Sequence, residues 1–445
     1  MDRAHCWLAM LLLFGLIAGC QDHPETLSTN SGGSMSLAQR DDKVLQQAQP
    51  QLSNEQRLDW AVGKSFATQA WVSGRASTRA RDGLGPLFNA NRCVACHREN
   101  GQGQLPEHGP GLILRLIDNS AEPHHYGNQL QDHASLGHFA EGQISWQTLN
   151  KIAESPKDKS ATLEYRRYSI EKGQYGPTTD IATSPRLAPA LIGMGLLDGI
   201  DDIDILNKSD PEDRDGDGIS GRAVLHWDIQ QQRHRPGRFG WKASQASLKQ
   251  QIALAFNQDI GITSTLYPEQ NSSIASIQTP PSLEPEISDK LLNAVDDYIG
   301  NLAVPSTDPS IDLNDGYAIF TQLGCANCHQ AAQRSRGPRN SLNTLQDTET
   351  IFPFSDLLLH DMGPGLSDNA DSDAAAAAEW RTAPLWGLGI RSLDADHVRL
   401  LHDGRARSIH EAILWHGGEA SASQARYQRI HHAQRKRLLR FLKAL

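Results

Sequence analysis

Two stretches decide how this chain is read: Cys93-Val94-Ala95-Cys96-His97 and Cys325-Ala326-Asn327-Cys328-His329. A spacing of three residues puts both thiols of each pair on one helical turn, with an imidazole beside them. In that arrangement two thiols add to the vinyl groups of a haem and the histidine faces the iron as proximal ligand. Rival readings of CxxC fit less well. A shared four-cysteine zinc site would join pairs far apart in sequence, and both pairs are followed by His. A thioredoxin-like dithiol needs a βαβ context. Here a Gly/Phe helical segment is expected before each pair instead: Gly85 and Phe88, then Gly316 and Phe320. Two covalently bound c-type haems are therefore expected, each with its own proximal ligand, His97 and His329.

Working outward, the other two cysteines, Cys6 and Cys20, lie at the N-terminus, so none remains for a structural disulfide. Arg3 and His5 precede an apolar run from Trp7 to Ile17. That run is too short to span a bilayer as a helix and suits a signal-peptide core. It ends in Leu16-Ile17-Ala18-Gly19-Cys20, which resembles the lipobox of bacterial lipoproteins. The resemblance implies lipidation of Cys20 and a body tethered to a membrane in the bacterial cell envelope, facing the periplasm. The alternative is an ordinary secretory signal in which Cys20 is incidental. The net charge of −10, from 42 Lys+Arg against 52 Asp+Glu, excludes the basic surface of a nucleic-acid binder.

The organisation expected is a signal peptide over 1–20, a flexible polar tether over 21–50, a first domain with insertions over 51–303, and a second domain over 304–445. Ser272 to Pro285 reads as a surface loop, Ser288 to Leu302 as a helix, and Val304 to Pro309 as a linker. Ala425 to Leu445 reads as a basic amphipathic helix whose charges form a solvated face. Weak repeats relate the halves: Arg186-Leu187-Ala188-Pro189 matches Arg381-Thr382-Ala383-Pro384, and Gly221-Arg222-Ala223 matches Gly404-Arg405-Ala406. The fold class expected is mainly α, two cytochrome-c-like domains with one covalently bound haem each.

Three residues after His329 could take the other face of the second iron: Met362, His402 and His416. The segments Leu401-His402-Asp403-Gly404-Arg405 and Glu411-Ala412-Ile413-Leu414-Trp415-His416 resemble the bacterial di-haem cytochrome c peroxidase superfamily, which includes the methylamine-utilisation di-haem enzymes. There a similar helix ends in the distal ligand of the second haem. The resemblance implies His416 as axial ligand, with Met362 as the alternative. A nitrogen ligand in place of Met lowers the potential.

The first site differs. Aligning Ser247-Leu248-Lys249 with Ser408-Ile409-His410 puts Ala255 or Phe256 opposite His416, and neither ligates iron. An open iron is what peroxide needs, with His124, His125, His133, His138 and Met194 as loose caps. Peroxide activation also needs an acid/base group. The superfamily uses a Glu and a Gln, for which Gln129 and Glu141 are the candidates here; a polar helix surface is the plain alternative.

A closer resemblance is to the di-haem oxidoreductase or putative-peroxidase family, sometimes labelled thiol oxidoreductases. It rests on Asp215 to Arg222, Arg238 to Ala243, Leu357 to Gly365, Glu379 to Thr382 and Trp415 to Glu419, and covers nearly all the chain after about residue 65. It implies a peroxidase-like oxidoreductase. Electrons from a small donor such as a cytochrome or cupredoxin would pass from the C-terminal to the N-terminal haem, for peroxide reduction or oxidation of a partner protein. A non-catalytic electron-transfer cytochrome is the alternative. The thiol label fits poorly, because thioether formation leaves no free dithiol. Asp213, Asp215 and Asp217 resemble the start of a calcium loop, but Val224 stands where a complete EF-hand has Glu. Trp241 is either an aromatic between the haems or a core residue.

Overall fold

The computed structural model describes residues 27–74, 80–118, 125–153, 161–272, 274, 284–345, 347–368, 374–391 and 398–445. The signal peptide, Cys20, His124 and most of the Ser272–Pro285 loop lie outside the described residues.

The fold is not mainly α. It is 31% helical and 18% strand, and the strands form seven two-stranded sheets among the described residues. The excess over the expectation is largely an insertion in the first half. There Leu112–Asp118 pairs antiparallel with Ile181–Leu187, and two eleven-residue strands, Gln143–Ala153 and Ala161–Glu171, pair antiparallel with each other. Leu112, Leu114 and Leu116 are all buried. That period of two is a strand signature that drew no weight beside the haem motifs.

The helical part starts with Asn54–Thr68, which packs on Asp289–Gly300. Ser53 and Gln56 form a reciprocal cap at its start. Gly63 allows the close approach, since a Cβ there would sit 1.8 Å from the Ala294 carbonyl oxygen. Trp60 and Tyr298 then meet at 5.0 Å, and the Trp60 indole donates to the Tyr298 carbonyl. The helix expected from Ser288 is the observed one, with Ser288 as its cap and Leu292, Val295, Tyr298 and Ile299 buried.

Two connecting segments differ from their reading. From residue 27 the expected tether is packed: Met35 and Val44 are fully buried, and Ser36–Leu37 pairs in parallel with Val304–Pro305. The expected linker at Val304 is therefore a buried strand. Polar composition hid this, because a few apolar side chains among many Ser and Gln suffice to anchor a strap. The halves also share packing. Leu342, Leu357, Trp386 and Ile390 belong to the core built around Leu196, Phe256 and Val295, while Leu163 belongs to the core of the second half.

In the second half, Leu313–Gln322 packs on His432–Ala444 through Phe320 and Phe441, 5.7 Å apart. Phe320 is helical, as expected. Phe88 is not: Leu87–Phe88 is a short strand paired with His133–Ala134. No described helix is long and apolar enough to cross a membrane.

Candidate haem sites

Both CxxCH stretches close one turn. The His97 amide donates to the Cys93 carbonyl at 2.9 Å, and His329 to Cys325 at 3.0 Å. Gly324, at φ +85°, starts the second turn in a conformation that suits glycine. Each imidazole is then oriented from behind. Nδ1 of His97 meets the Pro189 carbonyl at 2.6 Å, and Nδ1 of His329 meets the Phe354 carbonyl at 2.9 Å. A carbonyl only accepts, so Nδ1 carries the proton and Nε2 keeps its lone pair for a metal. Burial lowers the pKa of His97, and takes that of His329 down to about 4, so both are neutral ligands at neutral pH. Burial pushes the Cys93 and Cys325 thiols up to about 12, and raises Cys96 and Cys328 as well. Thiolate chemistry is thereby suppressed. The donor set fits haem attachment and not a cycling dithiol.

The second site has another imidazole near it, since the charge of His416 reaches His329. Helix Ile409–Trp415 is capped by Ser408 at its start and by His416 at its end. His416 Nδ1 meets the Ala412 carbonyl at 2.7 Å, so its Nε2 is also left for a metal. Burial keeps it neutral, and its nearness depresses the His329 pKa further. All three candidate ligands retain some accessible surface, yet burial dominates each pKa.

Glycines lock the His416 segment in place. Gly363 and Gly418 have φ of +74° and +53°; a Cβ on Gly418 would lie 2.2 Å from the Asp361 carbonyl oxygen, and one on Gly363 would lie 2.6 Å from the Gly418 nitrogen. The 361–363 and 417–419 backbones therefore touch. This contact brings Glu419 Oε2 to 2.8 Å from His360 Nδ1, while Asp356 Oδ2 lies 2.8 Å from His360 Nε2. Cys328 Sγ is 3.7 Å from the same ring. Burial opposes charge on His360, but Asp356, Cys328 and Glu419 outweigh it and keep an imidazolium there. Met362 packs beside this point, its carbonyl 3.0 Å from where a Gly417 Cβ would be. His402 is elsewhere: its ring stacks on Trp380 at 3.6 Å and 7°, and burial with the nearby Arg405, Arg186 and Lys242 cations holds it neutral.

The first site has no such imidazole on the corresponding helix, Leu248–Asp259. Phe256 is 1% exposed and packs edge-on to Trp71 at 5.6 Å. Three residues on, Asp259 accepts from Gln129 Nε2 at 2.7 Å, and burial raises its pKa to about 6. Its charge reaches Cys93 and Cys96. Setting Phe256 against His416 sets Asp259 against Glu419, whose charge likewise reaches Cys328. In each half a carboxylate at or just beyond the end of this helix thus raises the pKa of its cysteines. Sequence reading missed this pair, although the alignment contained it.

A cleft of about 620 Å³ opens beside Cys96, walled by Phe88, Arg92, Asp132, His133 and Trp146. His133 Nδ1 lies 2.9 Å from Asp132 Oδ1, and the ring stacks over Phe88 at 5.7 Å. Gln129 and Glu141 are not on this wall. Gln129 is buried behind it, donating also to Asn89 at 2.8 Å. Glu141 accepts from the Gln131 amide at 2.7 Å, and burial pushes its pKa up to about 7. His125, His138 and Met194 are also off the wall.

The Asp213, Asp215 and Asp217 carboxylates lie within 4.8 Å of one another on the surface, and Asp217 accepts from Asn327, inside the second CxxC, at 3.1 Å. Trp241 donates to the Leu187 carbonyl at 2.8 Å and packs on the second core.

No curated protein matches this chain. A family model described as di-haem oxidoreductase, putative peroxidase, matches residues 177–445. That span takes in Asp259, the second CxxCH, His360 and His416. The chain belongs to the di-haem oxidoreductase, putative peroxidase family, and is a haem-dependent oxidoreductase.

Proposed function

We propose that this is a peroxidase-like di-haem c oxidoreductase of the bacterial cell envelope, facing the periplasm and anchored by lipid on Cys20. Cys93, Cys96, Cys325 and Cys328 would form the thioethers, and His97, His329 and His416 would hold the irons. Electrons from a small donor, a cytochrome or cupredoxin, enter at the C-terminal site and are used at the N-terminal one, on peroxide or a partner protein. Bound haem supplies the one-electron chemistry. The chain's own residues make the two sites unequal, and that inequality supports the reading: His416 is near enough to His329 to lower its pKa, while the equivalent helix of the first half offers Phe256. On the first side, the Asp132–His133 pair holds a proton on the cleft wall, better placed for acid/base work than Gln129 or Glu141. Asp213, Asp215 and Asp217 are where a calcium ion would bind.

Low-temperature electron paramagnetic resonance of the holoprotein tests this. One low-spin and one high-spin signal are expected, with peroxide consuming the high-spin one. Two low-spin signals indifferent to peroxide would leave an electron-transfer cytochrome instead.

A further inference from the structure

The chain carries no Asp or Glu after Glu419, yet seven Lys or Arg between 426 and 443, in a protein of net charge −10. The helix His432–Ala444 buries Leu438, Phe441 and Leu442, which turns Lys436, Arg440 and Lys443 outward, where they are exposed. Arg437 is paired with Asp315, and Asp308 draws on Arg40 and Arg440.

The end of this helix lies where the chain emerges from its N-terminal segment. The Asp308 amide donates to the Ala444 carbonyl at 2.9 Å, and the Thr307 amide, one residue before, donates to the Thr29 carbonyl at 2.8 Å. Leu27 already packs on the second core. Only residues 21–26 separate Cys20 from Leu27, a span of at most about 25 Å when fully extended.

We propose that the exposed cationic face of the C-terminal helix is apposed to the membrane and binds anionic phospholipid headgroups. The proposal rests on the lipid-anchor reading for its placement. A short leash holds this face near the bilayer surface, where each added cation strengthens attraction to anionic lipid. The leash and the helix together fix which side of the body faces the lipid and which faces solvent.

The test uses the mature holoprotein from residue 21, exported without lipidation, and vesicles of phosphatidylcholine with or without phosphatidylglycerol. Co-sedimentation is expected only with phosphatidylglycerol, and is expected to fall steeply as salt rises. The triple variant K436Q/R440Q/K443Q should bind at least about tenfold more weakly with an unchanged haem spectrum, and K436R/K443R should bind like the parent. Equal binding to both vesicles, salt-independent binding, or an undiminished triple variant with intact spectrum overturns the proposal. The salt titration of the parent decides the matter even if the triple variant does not fold. Fatty-acid labelling of the full chain, lost in C20S, checks the anchor separately; its failure removes the leash without touching the vesicle result.

Discussion

Glu419 and Asp356 grip opposite nitrogens of His360, each at 2.8 Å, in a site where the ring is 3% exposed. One carboxylate comes from the loop after His416 and the other from the segment after Phe354, whose carbonyl orients His329. The His360 cation therefore ties together the backbones that carry His329 and His416. Its replacement in H360Q leaves a buried carboxylate, Asp356, and a partly buried one, Glu419, facing a neutral amide. A stability loss of about 3–5 kcal/mol is expected in denaturant unfolding. A loss under about 1 kcal/mol would show that the ring is neutral and the carboxylates are otherwise satisfied.

Removing His416 deletes one nitrogen donor and should spare the fold, since the side chain's other bond is to its own helix. In H416A the low-spin signal of the second haem is expected to become high-spin, while M362A leaves it unchanged. The reverse pattern assigns the ligand to Met362.

Glu141 gives a pH signature. Burial raises its pKa from about 4.5 to about 7. Between those values the unfolded chain releases a proton that the folded chain keeps. Its contribution to stability is thus fully present below about pH 4.5 and lost as pH climbs through 7, by up to about 3 kcal/mol. Asp259 adds the same sign over a lower window. In E141Q the slope of unfolding free energy across this range should flatten; an unaltered slope places the titration on another group.

The glycine contact makes a local prediction. In G418A the new methyl meets the Asp361 carbonyl and the backbone must leave φ +53°. A loss of about 2–3 kcal/mol or more is expected, together with a perturbed second-haem spectrum. At Gly74, also left-handed but with open space around it, alanine should cost only about 1 kcal/mol. Equal losses at the two positions would mean that the clash relaxes.

The local parts of the sites were legible in the sequence. A CxxCH turn is five residues long, and His416 ends a short amphipathic helix. Asp259 was within reach of the same helix alignment that set Ala255 or Phe256 against His416. The partners of His360 were only half visible: Asp356 is one helical turn upstream, but Glu419 arrives through the Gly363–Gly418 contact, which no local pattern encodes. The β insertion was written in the alternation of Leu112, Leu114 and Leu116, and was masked by the expectation of helices. The strap around Met35 could not be read, because its strand partner is Val304 and its Ser34 binds Glu349.

That strap has a bearing on biogenesis. A chain synthesised from its N-terminus makes residues 33–37 first and their partners, residues 304–305 and Glu349, much later. Until then the strap has nothing to pair with, and the first half cannot finish closing. Cys93 and Cys96 therefore stay open for most of synthesis, whereas Cys325 and Cys328 are made only as the last long-range contacts become available. Order of synthesis, and not only local geometry, would then separate the maturation of the two sites.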